Sequence, residues 1–188
     1  LQYEHVPPGF GIGITVPIPK IDLFNNSCNV SDFRGITISP VISKIFELCL
    51  VNILDDYLFT SDLQFGFKKG IGCNHAIYTL RSTVDHFVKN NSTVKLCSLD
   101  LTKAFDKVNY FQLFNKLLEK KFPRKIIVIL LTWYLNTSIT VRWKNCLAES
   151  VALKAGIRQG GVLSPYLFAI FVDDVLKKLQ FSKLGCRV

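Results

Sequence analysis

The stretch SLDLTKAFDKVN, residues 98–109, decides how this chain is read. Residues 94–101 form an apolar run that predicts a strand, with Asp100 at its C-terminal end. A helix is expected next, carrying Phe111, Phe114, Leu117 and Leu118 on one face. A carboxylate where a strand turns into a helix can project into a cleft and hold a divalent cation. Mg²⁺ suits such a position, because it keeps several waters and takes only one or two protein carboxylates beside substrate phosphates. The spacing from Asp100 to Asp106 does not by itself converge the two side chains, and Asp106 equally fits a cap for the following helix.

Further along, AGIRQGGVLSP (155–165) pairs glycines that let a backbone approach a ligand with Gln159, a donor and acceptor, and the permanent cation Arg158. The same letters also describe a glycine turn into a helix capped by Ser164 and Pro165, running to about Lys183. Toward the N-terminus stand two isolated bases, Lys20 after VPIP and Arg34 in DFRGI. Each alone reads as a solvated charge; together they could hold a triphosphate.

The remaining segments supply a scaffold. Ile12, Ile14, Val16 and Ile18 alternate at strand period after a glycine-rich opening, which lacks the lysine of a phosphate loop and reads as a flexible lead-in. Ser39 and Pro40 start a helix with Ile42, Ile45, Phe46, Cys49, Leu50 and Ile53 at helical spacing. QFGFKKGIG (64–72) is a turn, and a helix bearing Ile77, Leu80, Val84, Phe87 and Val88 follows it. Pro123 opens an apolar helix over 126–135, too short to span a bilayer. Residues 139–143 and 151–153 form a hairpin about Lys144 and Asn145. The mixture makes an α+β chain.

Composition bounds the answer. Hydrophobic residues are 49% and charged residues 20% of 188, with mean hydropathy +0.28, which excludes a disordered chain. Lys and Arg number 23 against 14 Asp and Glu, a net +9 that favours polyanionic partners, nucleic acid before an anionic membrane. The six cysteines include no C-x-x-C pair, and several sit in apolar runs as buried thiols do, which suits a reducing, intracellular compartment. No signal peptide is visible. There is no methionine, even at position 1, so a piece of a longer protein is expected.

Taken in order, VPIPK, DFRGITISPVISKIFE, QFGFKKG, SLDLTKAFDKVN and GIRQGGVLSPYLF resemble the successive blocks of reverse transcriptases, above all those of non-LTR (LINE-type) retrotransposons. The resemblance covers about residues 14–188. It implies a right-hand polymerase architecture: fingers over 1–92 and a partial palm over 93–188, with about 125–157 returning toward the fingers. It implies that Asp100, with the backbone carbonyl of Leu101, binds catalytic Mg²⁺ or Mn²⁺. Phe105 matches the aromatic gate that rejects a 2′-hydroxyl. Lys20 and Arg34 match the bases that grip the dNTP, and Gln159 and Gly160 the block at the nucleotide and template–primer. Lys68, Lys69 and Arg158 are the weaker nucleic-acid contacts. The partners implied are an RNA template, a DNA primer and a dNTP, with no membrane.

The family's second acidic motif is an aromatic-x-Asp-Asp turn between strands. Phe171-Val172-Asp173-Asp174 fits the letters, but Leu167, Phe168, Phe171, Val175 and Leu179 continue a helical stripe through it. The chain is therefore expected to stop short of the true motif, without a thumb and unable to polymerise alone. The alternative is a catalytically dead nucleic-acid-binding remnant of a decayed element. A palm sheet cut midway would leave an open edge, an aggregation hazard.

Overall fold

The computed structural model describes residues 4–20 and 29–182. Strands β1 (Ile12–Pro19), β2 (Phe33–Ile38), β3 (Ser138–Trp143) and β4 (Cys146–Ala152) form one mixed sheet in the order β2-β1-β3-β4. Helices α1 (Val41–Ile53), α2 (Cys73–Lys89), α3 (Tyr110–Glu119), α4 (Arg124–Leu135) and α5 (Ser164–Phe181) complete an α+β chain. β1 runs antiparallel to β2, with Ile14 opposite Ile38, and parallel to β3. The Thr15 and Thr37 hydroxyls bond each other at 2.9 Å in the buried β1–β2 face. β3 and β4 form the expected hairpin.

The core lies where α3 packs on α4 and α5. Leu113, Leu117, Leu130, Trp133, Leu163 and Leu167 are its buried side chains, joined by Leu50 and Leu54 from the end of α1. Pro123 is the N-cap of α4, and the Asn109 side chain accepts the Gln112 amide at 3.1 Å to cap α3. Asp106 therefore caps nothing.

Several expectations are corrected. Residues 94–101 form no strand: a strand needs a hydrogen-bonding neighbour, and no described segment pairs with them in a ladder. Leu96, Leu99 and Leu101 stand exposed there. Ser39 and Ser164 do not cap; the N-caps of α1 and α5 are Pro40 and Leu163. α3 buries Tyr110, Leu113, Phe114 and Leu117 and leaves Phe111 and Leu118 outside, a face rotated by about one residue. α1 turns Ser43, Glu47 and Leu50 inward and exposes Ile42, Ile45 and Ile53, because Glu47 finds buried polar partners. α2 buries no residue, so its apolar stripe stays open. The glycine-rich opening is no flexible lead-in but a 3-10 turn, Pro8–Gly11, packed on Asn136 and Thr137. Cys49, Cys73, Cys97 and Cys146 are free but exposed. Cys28, Cys186 and Lys183 lie outside the described residues.

Candidate functional site

Two irregular loops meet each other through two backbone hydrogen bonds and the sheet edge through a third. The Ile157 amide donates to the Phe105 carbonyl and the Gly156 amide to the Val108 carbonyl, both at 2.8 Å. The Thr37 amide of β2 donates to the Gln159 carbonyl at 3.0 Å. The Asp100 loop thus lies against the Gln159 loop, and the Gln159 loop against the strand that carries Arg34. Glycine is required at both junctions. Gly156 has φ +90°, and a Cβ there would stand 2.9 Å from the Asp106 carbonyl oxygen. Gly160 has φ +110°, and its Cβ would stand 2.7 Å from the Thr37 carbonyl oxygen.

Between these loops opens a cleft of about 690 Å³, the size of a small-ligand site. Lys20, Arg34, Asp100, Leu101, Phe105, Gln159 and Gly160 all line it, joined by Asp106 and by Phe67. Residues as far apart as Lys20 and Gly160, 140 positions (160 − 20 = 140), are brought to one surface. Lys20 donates to the Ser31 carbonyl at 2.7 Å, which holds its ammonium beside the arm that carries Arg34. Cations and carboxylates line the same opening, a composition suited to a phosphate ester with its counter-cation.

Arg158 borders the cleft, but its guanidinium turns inward and is 8% exposed. It donates to the Phe10 carbonyl at 3.3 Å, lies 3.8 Å from Glu47 Oε1 and sits 5.3 Å from the Trp133 ring centre. Its observed partners all lie within the protein, which gives Arg158 a structural role in joining these segments. Glu47 accepts the Val162 amide, anchoring α1 to the end of the Gln159 loop. Burial pushes the Glu47 carboxyl up from its ordinary range, against the opposing pulls of the Val162 amide and Arg158. Lys68 and Lys69 do not line the cleft. Lys68 donates to the Ser61 carbonyl at 2.6 Å, while Lys69 is exposed.

Phe171-Val172-Asp173-Asp174 lies inside α5, as the stripe predicts. Asp173 accepts the Ser61 amide at 2.7 Å and pairs with Lys177 at 2.8 Å. Its hydrogen bond holds Lys177 above the usual lysine range. Asp174 pairs with Lys116 of α3 at 2.6 Å. Both acids serve packing between α5 and its neighbours.

Sequence reasoning passed over Phe67 and Glu47. Both sit within quoted motifs, but neither periodicity nor spacing distinguishes them there. Among the described residues, no three His, Cys, Asp or Glu side chains converge on a metal cage. The cleft offers two carboxylates, Asp100 and Asp106, and carbonyl oxygens: an all-oxygen set that fits Mg²⁺ or Mn²⁺ held partly by water and substrate. No described helix is long and apolar enough to cross a membrane.

Residues 18–186 match the family model described as reverse transcriptase (RNA-dependent DNA polymerase). The chain is similar to the probable RNA-directed DNA polymerase from transposon BS of Drosophila melanogaster, 26% identical over 147 residues, 76% of this chain and 16% of that protein. It is similar to the Retrovirus-related Pol polyprotein from type-2 retrotransposable element R2DM of the same species, 24% over 184 residues, 98% of this chain and 17% of that protein. A third relative is the RNA-directed DNA polymerase from mobile element jockey of Drosophila funebris, 26% over 151 residues, 78% and 16%. The chain thus spans 16–17% of the length of these relatives.

Proposed function

Because the chain belongs to the reverse transcriptase family, with RNA-directed DNA polymerases of non-LTR retrotransposons as its relatives, we propose that its cleft receives a deoxynucleoside triphosphate at the end of an RNA-templated DNA primer. The observation that carries this reading is the meeting of Lys20, Arg34, Asp100, Phe105, Gln159 and Gly160 in one cleft. In this reading residues 1–92 act as fingers and 93–188 as part of a palm, with 125–157 returning to the fingers.

In this reading each group takes a role that suits its chemistry. Lys20 and Arg34 bind the triphosphate and stabilise charge on its oxygens. Phe105 presents a flat apolar surface to the sugar and leaves no room for a 2′-hydroxyl. Gln159 and the glycine backbone at 160 orient the base against the template. Asp100 and the Leu101 carbonyl, with Asp106 near them, hold Mg²⁺ or Mn²⁺. Bound ions of this kind neutralise phosphate charge and lower the pKa of the primer hydroxyl. Lys69 remains available to a template phosphate.

Polymerisation by this polypeptide alone is not expected. Asp173 and Asp174 are committed to lysines within α5 packing, which leaves the cleft two carboxylates from a single loop. The test is nucleotide binding on an RNA template annealed to a dideoxy-terminated DNA primer in Mg²⁺. The next complementary dNTP should bind, and Asp100→Asn should weaken it at least about tenfold, the worth of a charge-assisted contact. Equal binding by wild type and variant contradicts the reading. Primer extension should give no product; incorporation abolished by Asp100→Ala would contradict the expected inactivity.

A further inference from the structure

Phe105 is not a lone ring. Phe168, from the second turn of α5, stacks on it with ring centres 4.5 Å apart and planes 17° from parallel. Phe67, from the turn before α2, stands edge-on to both, 6.2 Å and 86° from Phe105 and 6.4 Å and 89° from Phe168. These are offset-stack and edge-to-face geometries that aromatic quadrupoles favour.

The three rings come from three separate segments, and each is anchored differently. The Phe105 backbone is tied to Ile157. Phe168 packs against the main core. Phe67 has φ +57°, a left-handed backbone that a bulky residue rarely adopts. Such strain persists where surrounding structure imposes it, and here it delivers a half-exposed ring to the wall of the cleft.

We infer that Phe67 and Phe168 are positioning residues that hold Phe105 in one orientation and thereby set how strongly the cleft prefers deoxyribose to ribose. The inference rests on the proposed role of Phe105 as the surface beneath the sugar. Steric exclusion of one hydroxyl needs a wall that does not swing. An unsupported phenylalanine at the lip of a cleft has alternative rotamers that would admit the oxygen. A ring trapped between a parallel face and a perpendicular edge has no such freedom.

The test measures affinities of the next complementary dNTP and of the matching rNTP on the terminated RNA–DNA template–primer in Mg²⁺. Wild type should prefer the dNTP. Phe168→Leu and Phe67→Leu keep apolar bulk but remove the ring contacts, and each should lower the preference by about twofold to tenfold, the scale of one aromatic pair. Phe105→Ala should lower it further, and Phe168→Leu added to Phe105→Ala should change it no more, since the supported ring is gone. Because Phe67 lies on an exposed turn, its variant stays informative if Phe168→Leu unfolds by circular dichroism. A preference that survives both leucine substitutions, or a Phe168→Leu effect undiminished in the Phe105→Ala background, overturns the inference alone. A wild type without preference removes the gate reading of Phe105 itself, and the inference with it.

Discussion

Glu47 of α1 and Arg158 of the Gln159 loop form an ion pair at 3.8 Å, with side chains 7% and 8% exposed. The pair joins α1, a helix outside the cleft lining, to the loop on which Gln159 and Gly160 ride. Each partner has further bonds, Glu47 to the Val162 amide and Arg158 to the Phe10 carbonyl, so the pair is satisfied on both sides.

Glu47→Ala would strand a buried guanidinium and leave the partly buried Val162 amide without its acceptor. It should lower stability by about 3–5 kcal/mol, read as a shift of the urea midpoint. A change within about 0.5 kcal/mol, as at ordinary surface sites, would show that the pair contributes nothing.

The same carboxyl makes a pH prediction. Burial raises its folded-state pKa, so the folded chain holds that proton more tightly than the unfolded chain. Its stabilising contribution is complete below the ordinary carboxylate range and is lost as pH rises through the raised value. Urea midpoints followed from acid to neutral pH should show Glu47→Gln lacking that decline. Parallel profiles for wild type and variant would contradict it.

Gly160→Ala should disturb the cleft more than the fold. Its Cβ would press on the Thr37 carbonyl and require a left-handed backbone. Stability should fall by about 1 kcal/mol or more, and dNTP binding should weaken severalfold. Unaltered binding would place Gly160 outside the site.

Asp174→Ala should break the contact to Lys116 and cost about 0.5–1 kcal/mol, because Asp174 is 45% exposed and Lys116 keeps its bond to the Phe171 carbonyl. Nucleotide affinity in Mg²⁺ should not change in the folded fraction. A loss of metal-dependent binding without a loss of stability would return the Asp-Asp pair to the chemistry.

Much of this architecture can be read from punctuation. Pro123 marks the start of α4, and Lys144 with Asn145 marks the β3–β4 turn. The site was readable only as a set of blocks; no periodicity says that Lys20 and Gln159 share a surface, because backbone bonds at Thr37, Phe105 and Val108 bring them there. Helix faces failed where a polar group is buried. Glu47 looks like a solvent residue on α1, and only its partner 111 positions away (158 − 47 = 111) makes it an interior one. The run 94–101 has strand composition but no neighbour, and pairing is a tertiary property. Phe67 escaped because a left-handed backbone at phenylalanine is contrary to its own preference.

The proposed metal-bearing nucleotide site lies between the Asp100 and Gln159 loops, away from the Asp-Asp pair in α5. Fe²⁺ exchanged for Mg²⁺ on the nucleotide-bound template–primer complex, with ascorbate and peroxide, cuts the polypeptide beside the bound ion. Cleavage should fall within 99–107 and 156–161 and should vanish in Asp100→Asn. Cuts centred on 171–175 that persist in Asp100→Asn would contradict that placement.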